Sequence, residues 1–359
     1  MGAAMLLSLP LPAPGQQGMV QPAGWRRPAC PCPAPRVLPE PPESPPPPAG
    51  PEQPPATTPA PDSAVEPDLS PEQFAATGGG ETFAAMSSAV GYIDPALPIT
   101  RIRLRVDAAY GDSRPDRAEF LYPKEAALGG PGPARPGNLV DYQDIRTYLE
   151  AAYDHGYSLF VELPVRFLNP GGNANASGFA DMNAGFKYAL LSDEDKVFTF
   201  QFRTYIPTGD ASLGLGTHHV SLEPGFLGYW QATERIGLAS EFKDWIPVDG
   251  TDFAGNILQY GAGLNYLLFD TGRLRMIPVA EFVGWTVLGG KETVVPPGAI
   301  QSAAGDSILN AKVGIRTGFG QRAGTGLLSD ADLYLGYGRA LTGEVWYKDL
   351  MRMEFRLNF

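Results

Sequence analysis

Met351-Arg352-Met353-Glu354-Phe355-Arg356-Leu357-Asn358-Phe359 alternates without interruption, with the five odd-numbered residues apolar and the four even-numbered ones polar or charged. A period of two sends the two sets to opposite faces of a β-strand. Such an apolar face needs a cover, either a protein core or lipid, and one strand fits both. A second run of the same design spans Arg101 to Tyr110. It sets Ile102, Leu104, Val106, Ala108 and Tyr110 against Arg101, Arg103, Arg105 and Asp107. Pairing these two runs would close a sheet on itself.

Ten further alternating runs lie between them, at about Tyr142 to Asp154, Tyr157 to Leu168, Phe179 to Leu191, Val197 to Ile206, His219 to Gln231, Arg235 to Ile246, Asn256 to Leu268, Arg273 to Leu288, Asp306 to Gly320 and Asp330 to Leu341, and the closing run extends back to Tyr347. Tight links (His155-Gly156, Ser192 to Lys196, Ala232 to Glu234, Phe269 to Gly272) alternate with longer ones rich in Gly and Pro (Gly111 to Asp141, Asn169 to Gly178, Pro207 to His218, Gly289 to Gly305). Short turns on one rim and long loops on the other describe a transmembrane barrel of the outer-membrane type. A soluble sandwich or ligand-binding barrel fits the same alternation with its apolar face turned inward. Three features favour the membrane: runs longer than the usual strand of about 5–6 residues, asymmetric loops, and aromatics near strand ends. Tyr110, Tyr142, Tyr153, Tyr157, Trp230 and Phe359 are expected to form an interfacial girdle. The fold expected is an all-β, transmembrane, antiparallel up-and-down barrel of about twelve strands.

Composition separates the rest of the chain from the barrel. Residues 1 to 71 hold 22 of the 37 prolines and no sustained hydrophobic period, so they cannot build a core. The expected organisation is a disordered proline-rich arm over 1–75, a linker over 76–98 and the barrel over 99–359. With an even strand count, the arm and the last strand's end share the short-turn, periplasmic side. Ala3 to Leu11 is apolar but short, interrupted by Pro10 and without a basic n-region, so an export signal here would be atypical. Cys30 and Cys32, one residue apart, are poorly placed for a mutual disulfide and too few for a zinc site. No run of about 18 apolar residues exists for a spanning helix. The net charge of -12 argues against nucleic acid as a partner.

One short pattern is more specific than this texture. Gly178-Phe179-Ala180-Asp181-Met182-Asn183-Ala184-Gly185-Phe186-Lys187-Tyr188 is followed by Thr204-Tyr205-Ile206-Pro207-Thr208-Gly209-Asp210. With residues 99–359 as a whole, it resembles a family of bacterial outer-membrane β-barrels, transporter-like and associated with the meta-pathway of phenol degradation, especially its planctomycete members with a proline-rich N-terminus. The resemblance implies passage of hydrophobic or aromatic small molecules and carries over no transport-site residue. The closing strand, with Phe355, Leu357 and a final aromatic Phe359, also resembles the signal by which outer-membrane assembly machinery recognises its clients. Locally, Pro207 should end its strand, and Gly209 should take a positive φ.

The polar faces name the candidate lumen residues: Arg101, Arg103, Arg105, Arg146, Glu150, Glu162, Arg166, Lys187, Arg203, Glu223, Glu241, Glu281, Arg352, Glu354 and Arg356. Two arrangements fit them. A basic wall on the first and last strands facing acidic groups would select anions by a transverse field. Alternatively, carboxylates such as Glu354, Asp107 and Glu150 neutralise the arginines and plug the lumen. In the ninth run, Ile277, Val279, Val283, Trp285 and Val287 share the face of Glu281 and would give the lumen an apolar section. Enzyme chemistry has a thin supply. His155 lies in a turn, and His218 and His219, near Ser212 and Asp210, read as solvated loop residues without a spaced motif. The sequence therefore gives no catalytic residue, cofactor or metal. It gives a channel or transporter-like barrel whose partners are outer-membrane lipid, the assembly machinery and a small-molecule solute. The competing reading is a non-transporting structural barrel tethered through its periplasmic arm.

Overall fold

The computed structural model describes residues 91–359 apart from 138, 155, 295–297, 320–330 and 344. Cys30, Cys32, the proline-rich arm and His155 lie outside the described residues. Twelve long strands form one closed antiparallel sheet: β1 Arg101–Asp112, β2 Val140–Tyr153, β3 Tyr157–Pro170, β4 Met182–Ser192, β5 Lys196–Ile206, β6 Ser221–Gln231, β7 Ile236–Pro247, β8 Ile257–Tyr266, β9 Leu274–Val287, β10 Ser307–Phe319, β11 Ala331–Ala340 and β12 Asp349–Asn358. Each pairs with its neighbours in sequence, and β12 returns to β1 with Leu104 opposite Phe355 and Arg105 opposite Glu354. The closing strand is therefore ordinary ladder on both edges, and no edge of the sheet stays open. Shorter strands decorate the long-loop rim. Ala176–Phe179 pairs with β3, and Lys291–Val294 pairs with Ala299–Ser302.

Burial decides between lipid and core. Leu104 is 44% exposed while its neighbours Arg103 and Arg105 are 1% and 6% exposed, and the same inversion runs around the whole sheet. Ile145, Leu149, Leu159, Leu163, Phe167, Phe242, Phe282, Val313 and Leu335 all face outward. A soluble barrel would bury this set; here the charged set is buried, as a barrel in lipid requires. An outward ladder of rings crosses β4, β5 and β6, with Phe198 stacked on Phe226 at 5.4 Å and Phe186 on Phe202 at 5.9 Å.

Several sequence expectations change. The fourth run does not begin at Phe179: the chain pairs with β3 through Phe179, breaks at Ala180-Asp181, and starts β4 at Met182. Asp181 is diverted to the loops, where its carboxylate accepts the N–H groups of Gly209 (2.9 Å) and Thr217 (2.7 Å). Thr208 adds a bond to the Ala180 carbonyl. The Gly-x-x-Asp and Pro-Thr-Gly-Asp pattern is thus a clasp between two long loops. Gly209 is not at positive φ. It is needed because a Cβ there would lie 2.6 Å from the Leu215 carbonyl oxygen. Tyr142 is no girdle residue: counting by two from Asp144 sends it inward, where it is buried beneath the Arg166 guanidinium. Tyr110, Tyr153, Tyr157, Trp230 and Phe359 are exposed, as an interfacial belt requires.

Candidate functional site

Inward-pointing residues of a closed barrel meet across its axis, so charges far apart in sequence become neighbours. On the β1–β12 seam the Glu354 carboxylate, fully buried, accepts from Arg105 Nε at 2.8 Å, Arg316 at 2.9 Å and Arg356 Nε at 2.6 Å, with Arg103 at 3.7 Å. Arg352 grips Asp107 through two bonds of 2.7 Å. Glu150 collects Arg101 (3.3 Å), Lys187 (3.2 Å), Ser158 and Tyr148. Glu162 takes Arg103 (3.0 Å) and Arg146 (3.4 Å), while Asp144 takes Arg166 and Arg146. Glu223 accepts from Arg203 and Tyr205, each at 2.9 Å, and Glu241 from Lys243 at 2.8 Å. Desolvating these ions is costly, and such pairs hold only with partners on several sides.

All fifteen residues read from the sequence therefore lie on the lumen side; fourteen are buried and Arg146 is partly exposed. The strands bring them together as a cross-linked network rather than as separated basic and acidic walls. Asp144, Lys243, Lys312, Arg316 and Asp332 were missed, although counting by two from Arg146, Glu241 and Glu281's cross-strand partner would have found most of them. Asp94 gave no such signal, because it precedes the first strand.

Asp94 belongs to the second component, residues 91–99, which run buried through the lumen before β1 begins. The Glu281 carboxylate accepts the backbone N–H groups of Tyr92 (2.9 Å) and Ile93 (3.0 Å), with Gly91 at 3.3 Å. Asp94 receives Arg203 at 2.9 Å and Lys243 at 3.2 Å, and the Lys187 ammonium donates to the Pro95 carbonyl. Glycines make the room. A Cβ at Gly261 or Gly263 would lie 3.2 Å from Ile93, and one at Gly314 or Gly336 would overlap the ring of Tyr334, which stands edge-on to Tyr92. The stretch read as linker thus contributes its last residues to the interior.

The third component comes down from the long-loop rim. Phe120 packs against Trp245 (5.1 Å) and Trp346 (5.2 Å), and Arg117 donates to Glu292 at 2.6 Å. Glu119 holds Thr251 through N–H and Oγ1 bonds. Between this loop and residues 91–99 lies a cavity of about 200 Å³, walled by charged side chains on one side and by Val283, Trp285, Trp346 and Tyr347 on another. Of the apolar section read from the ninth run, Val283 and Trp285 line this cavity, while Ile277, Val279 and Val287 are buried without bordering it.

His219 overturns one expectation. It is buried rather than solvated, packed on Trp245 at 5.7 Å, with Nδ1 3.1 Å from Ser221 Oγ and Nε2 3.7 Å from Glu119. Loop closure over β6 and β7 hides it, whereas His218 stays exposed at a positive φ. Ser221 is fully buried and does not border this cavity. Ser212 instead bonds Asp210 as part of a turn.

No family model matches the chain, and no curated protein matches it. Among solved structures it is similar to an outer-membrane channel from Pseudomonas putida F1 (15% identity, 76% of this chain and 97% of that one, TM-score 0.45). It is also similar to the NanC porin (8% identity, 72% and 98%, TM-score 0.41) and to LpxR from Salmonella typhimurium (10%, 72% and 100%, TM-score 0.41).

Two expectations follow from this geometry. Glu281→Gln keeps an acceptor but removes its charge, and charged acceptors bind more strongly by about 1 kcal/mol or more. Amide exchange at Tyr92 and Ile93 should accelerate roughly tenfold, read by hydrogen–deuterium exchange; unchanged protection would show that Glu281 does not hold the segment. On the loop, burial beside the Asp116 carboxylate pushes Glu125 up to about 7 from its ordinary 4.5. The folded loop then prefers protonated Glu125. That preference stabilises it fully below the ordinary value and is lost as pH rises through about 7. Exchange across Lys124 to Gly130, relative to a Glu125→Gln variant, should therefore rise over that window, and a flat ratio would contradict it.

Proposed function

We propose that the chain is an outer-membrane channel-like barrel for small molecules, closed in this structure. The observation that carries this reading is the chamber itself: a cavity with charged and aromatic walls inside a transmembrane barrel, stopped on one side by residues 91–99 and on the other by the loop carrying Phe120. A barrel serving only as scaffold has no need of an interior space bounded by loop and segment instead of by packed strand side chains. The short-turn rim and the proline-rich arm face the periplasm in this reading, and the long loops face outward. The wall of Trp285, Trp346, Tyr347 and Val283 supports cargo with apolar or aromatic surface, in keeping with the resemblance noted from the sequence. Passage requires residues 91–99 to leave the axis, and their principal tethers, Glu281, Arg203 and Lys243, are all strand residues that stay in place.

One observation favours the non-transporting alternative: nearly every lumen charge is already paired, which suits a rigid plug. Planar-bilayer recording separates the two. The wild type should show rare discrete openings, and Glu281→Gln should raise their frequency severalfold. No conductance above leak from either protein, with insertion verified by heat-modifiable gel migration, would favour the structural barrel.

The closing strand also has a proposed role in biogenesis. Phe355, Leu357 and Phe359 present an apolar face to the outside, Phe359 most of all, and we take this face to be what outer-membrane assembly machinery recognises. Deleting Phe359 should lower the inserted fraction severalfold while leaving the openings of inserted molecules unchanged. Normal insertion of the deletion would remove this role.

A further inference from the structure

We propose that Lys312, with the aromatic side chains around it, forms a binding site for a small organic monocarboxylate carrying a flat apolar body. The proposal rests on the channel reading for access to the chamber. Among the described lumen residues, every other lysine and arginine of the network has a carboxylate within ion-pair distance, and Lys312 has none. Its cross-strand partner is Glu281, but that carboxylate is turned to the amides of Tyr92 and Ile93. The Lys312 ammonium instead lies 4.0 Å from the ring centre of Tyr92, 5.2 Å from that of Trp285 and 5.6 Å from that of Tyr347. It is buried and borders the cavity.

The neighbouring polar atoms have the same deficiency. The hydroxyls of Tyr92 and Tyr347 and the indole N–H of Trp346 are buried and have no hydrogen-bond partner. All three residues border the cavity with Lys312. Buried donors left without acceptors are costly and rare in native proteins. Here an ammonium, an indole N–H and two hydroxyls gather at one cavity while the carboxylates across it are engaged by other groups. The missing partner is an anionic acceptor. A carboxylate has two oxygens and about four lone-pair sites, enough for several such donors at once.

The rings decide what carries the carboxylate. Trp285 stands edge-on to Trp346 at 5.9 Å and 90° and to Tyr347 at 6.1 Å and 85°, leaving flat faces and edges of the kind that pack against another planar apolar group. The cavity, about 200 Å³, is below the roughly 300–1,000 Å³ of sites for drug-sized ligands. An apolar cavity of about 150 Å³ admits benzene, so one ring with one carboxylate matches the size. A cationic solute would meet Lys312 with no free carboxylate to offset it, and a bare inorganic anion would leave the ring faces unfilled.

Calorimetric titration of the full chain in detergent, with matched empty micelles subtracted, tests this with benzoate, benzyl alcohol and acetate as probes. Benzoate should bind at least tenfold more tightly than either of the others. Lys312→Met should abolish the preference for benzoate over benzyl alcohol, and Trp346→Phe, which keeps a ring and loses the N–H, should weaken benzoate by about three- to tenfold. Equal binding of benzoate and benzyl alcohol to the wild type would overturn the anion subsite, and equal binding of benzoate and acetate would overturn the requirement for a ring. Absence of benzoate binding to the wild type overturns the proposal whether or not the barrel conducts. Benzoate binding by a barrel that never conducts would keep the site and remove the channel reading.

Discussion

A barrel of twelve strands in lipid must keep its charged face inside, where there is little room for water to solvate it, and this requirement organises the rest of the molecule. Asp94, Asp144, Glu150, Glu162 and Glu354 each gather more than one cation, and Glu223, Glu241 and Glu281 add hydroxyl, amide or main-chain donors, because a single partner does not offset the desolvation of both ions. Glu354 among Arg103, Arg105, Arg316 and Arg356 is the densest case. Its partners come from β1, β10 and β12, so the network forms only when the sheet has closed and in turn fixes the register in which it closes.

The same requirement explains residues 91–99. Glu281 and the Arg203–Lys243 pair are left with unused hydrogen-bonding capacity by the strands alone, and the segment supplies backbone amides to one and the Asp94 carboxylate to the other. The inward glycines on β8 leave the space it occupies, and Gly314 and Gly336 leave room for the Tyr334 ring beside Tyr92. Chamber and segment are therefore two outcomes of one design, in which strand positions without side chains admit a polypeptide and the aromatic wall of β9 and the β11–β12 connection keeps the remaining volume open.

At the outer rim, backbone amides again set the structure. Asp181 ties the β3–β4 connection to the β5–β6 loop, Glu119 ties the first long loop to the β7–β8 loop, and Phe120 is thereby held over the chamber. Carboxylates accepting main-chain N–H groups recur at the plug and at the rim. They lock irregular backbone in place without requiring a regular partner strand.

The alternation in residues 351–359 and 101–110 was enough to specify strands, their two faces and their mutual pairing, because a period of two is a local property that survives any tertiary context. The strand number and the alternation of tight and long connections were legible for the same reason, and so was the identity of the inward charges. Tyr142 lies near a strand end, as girdle aromatics do, but its parity with Asp144 turns it inward. What no local pattern carried was the pairing across the axis. Glu354 with Arg316, Glu281 with the amides of Tyr92 and Ile93, and Asp94 with Lys243 join residues from strands that meet only in the closed cylinder. His219 looked solvated because burial there comes from loops that fold over it. The solitary Lys312 was equally invisible, since the absence of a partner is a statement about every neighbouring element at once. Sequence sets which way a side chain points, and closure of the sheet decides what it meets there.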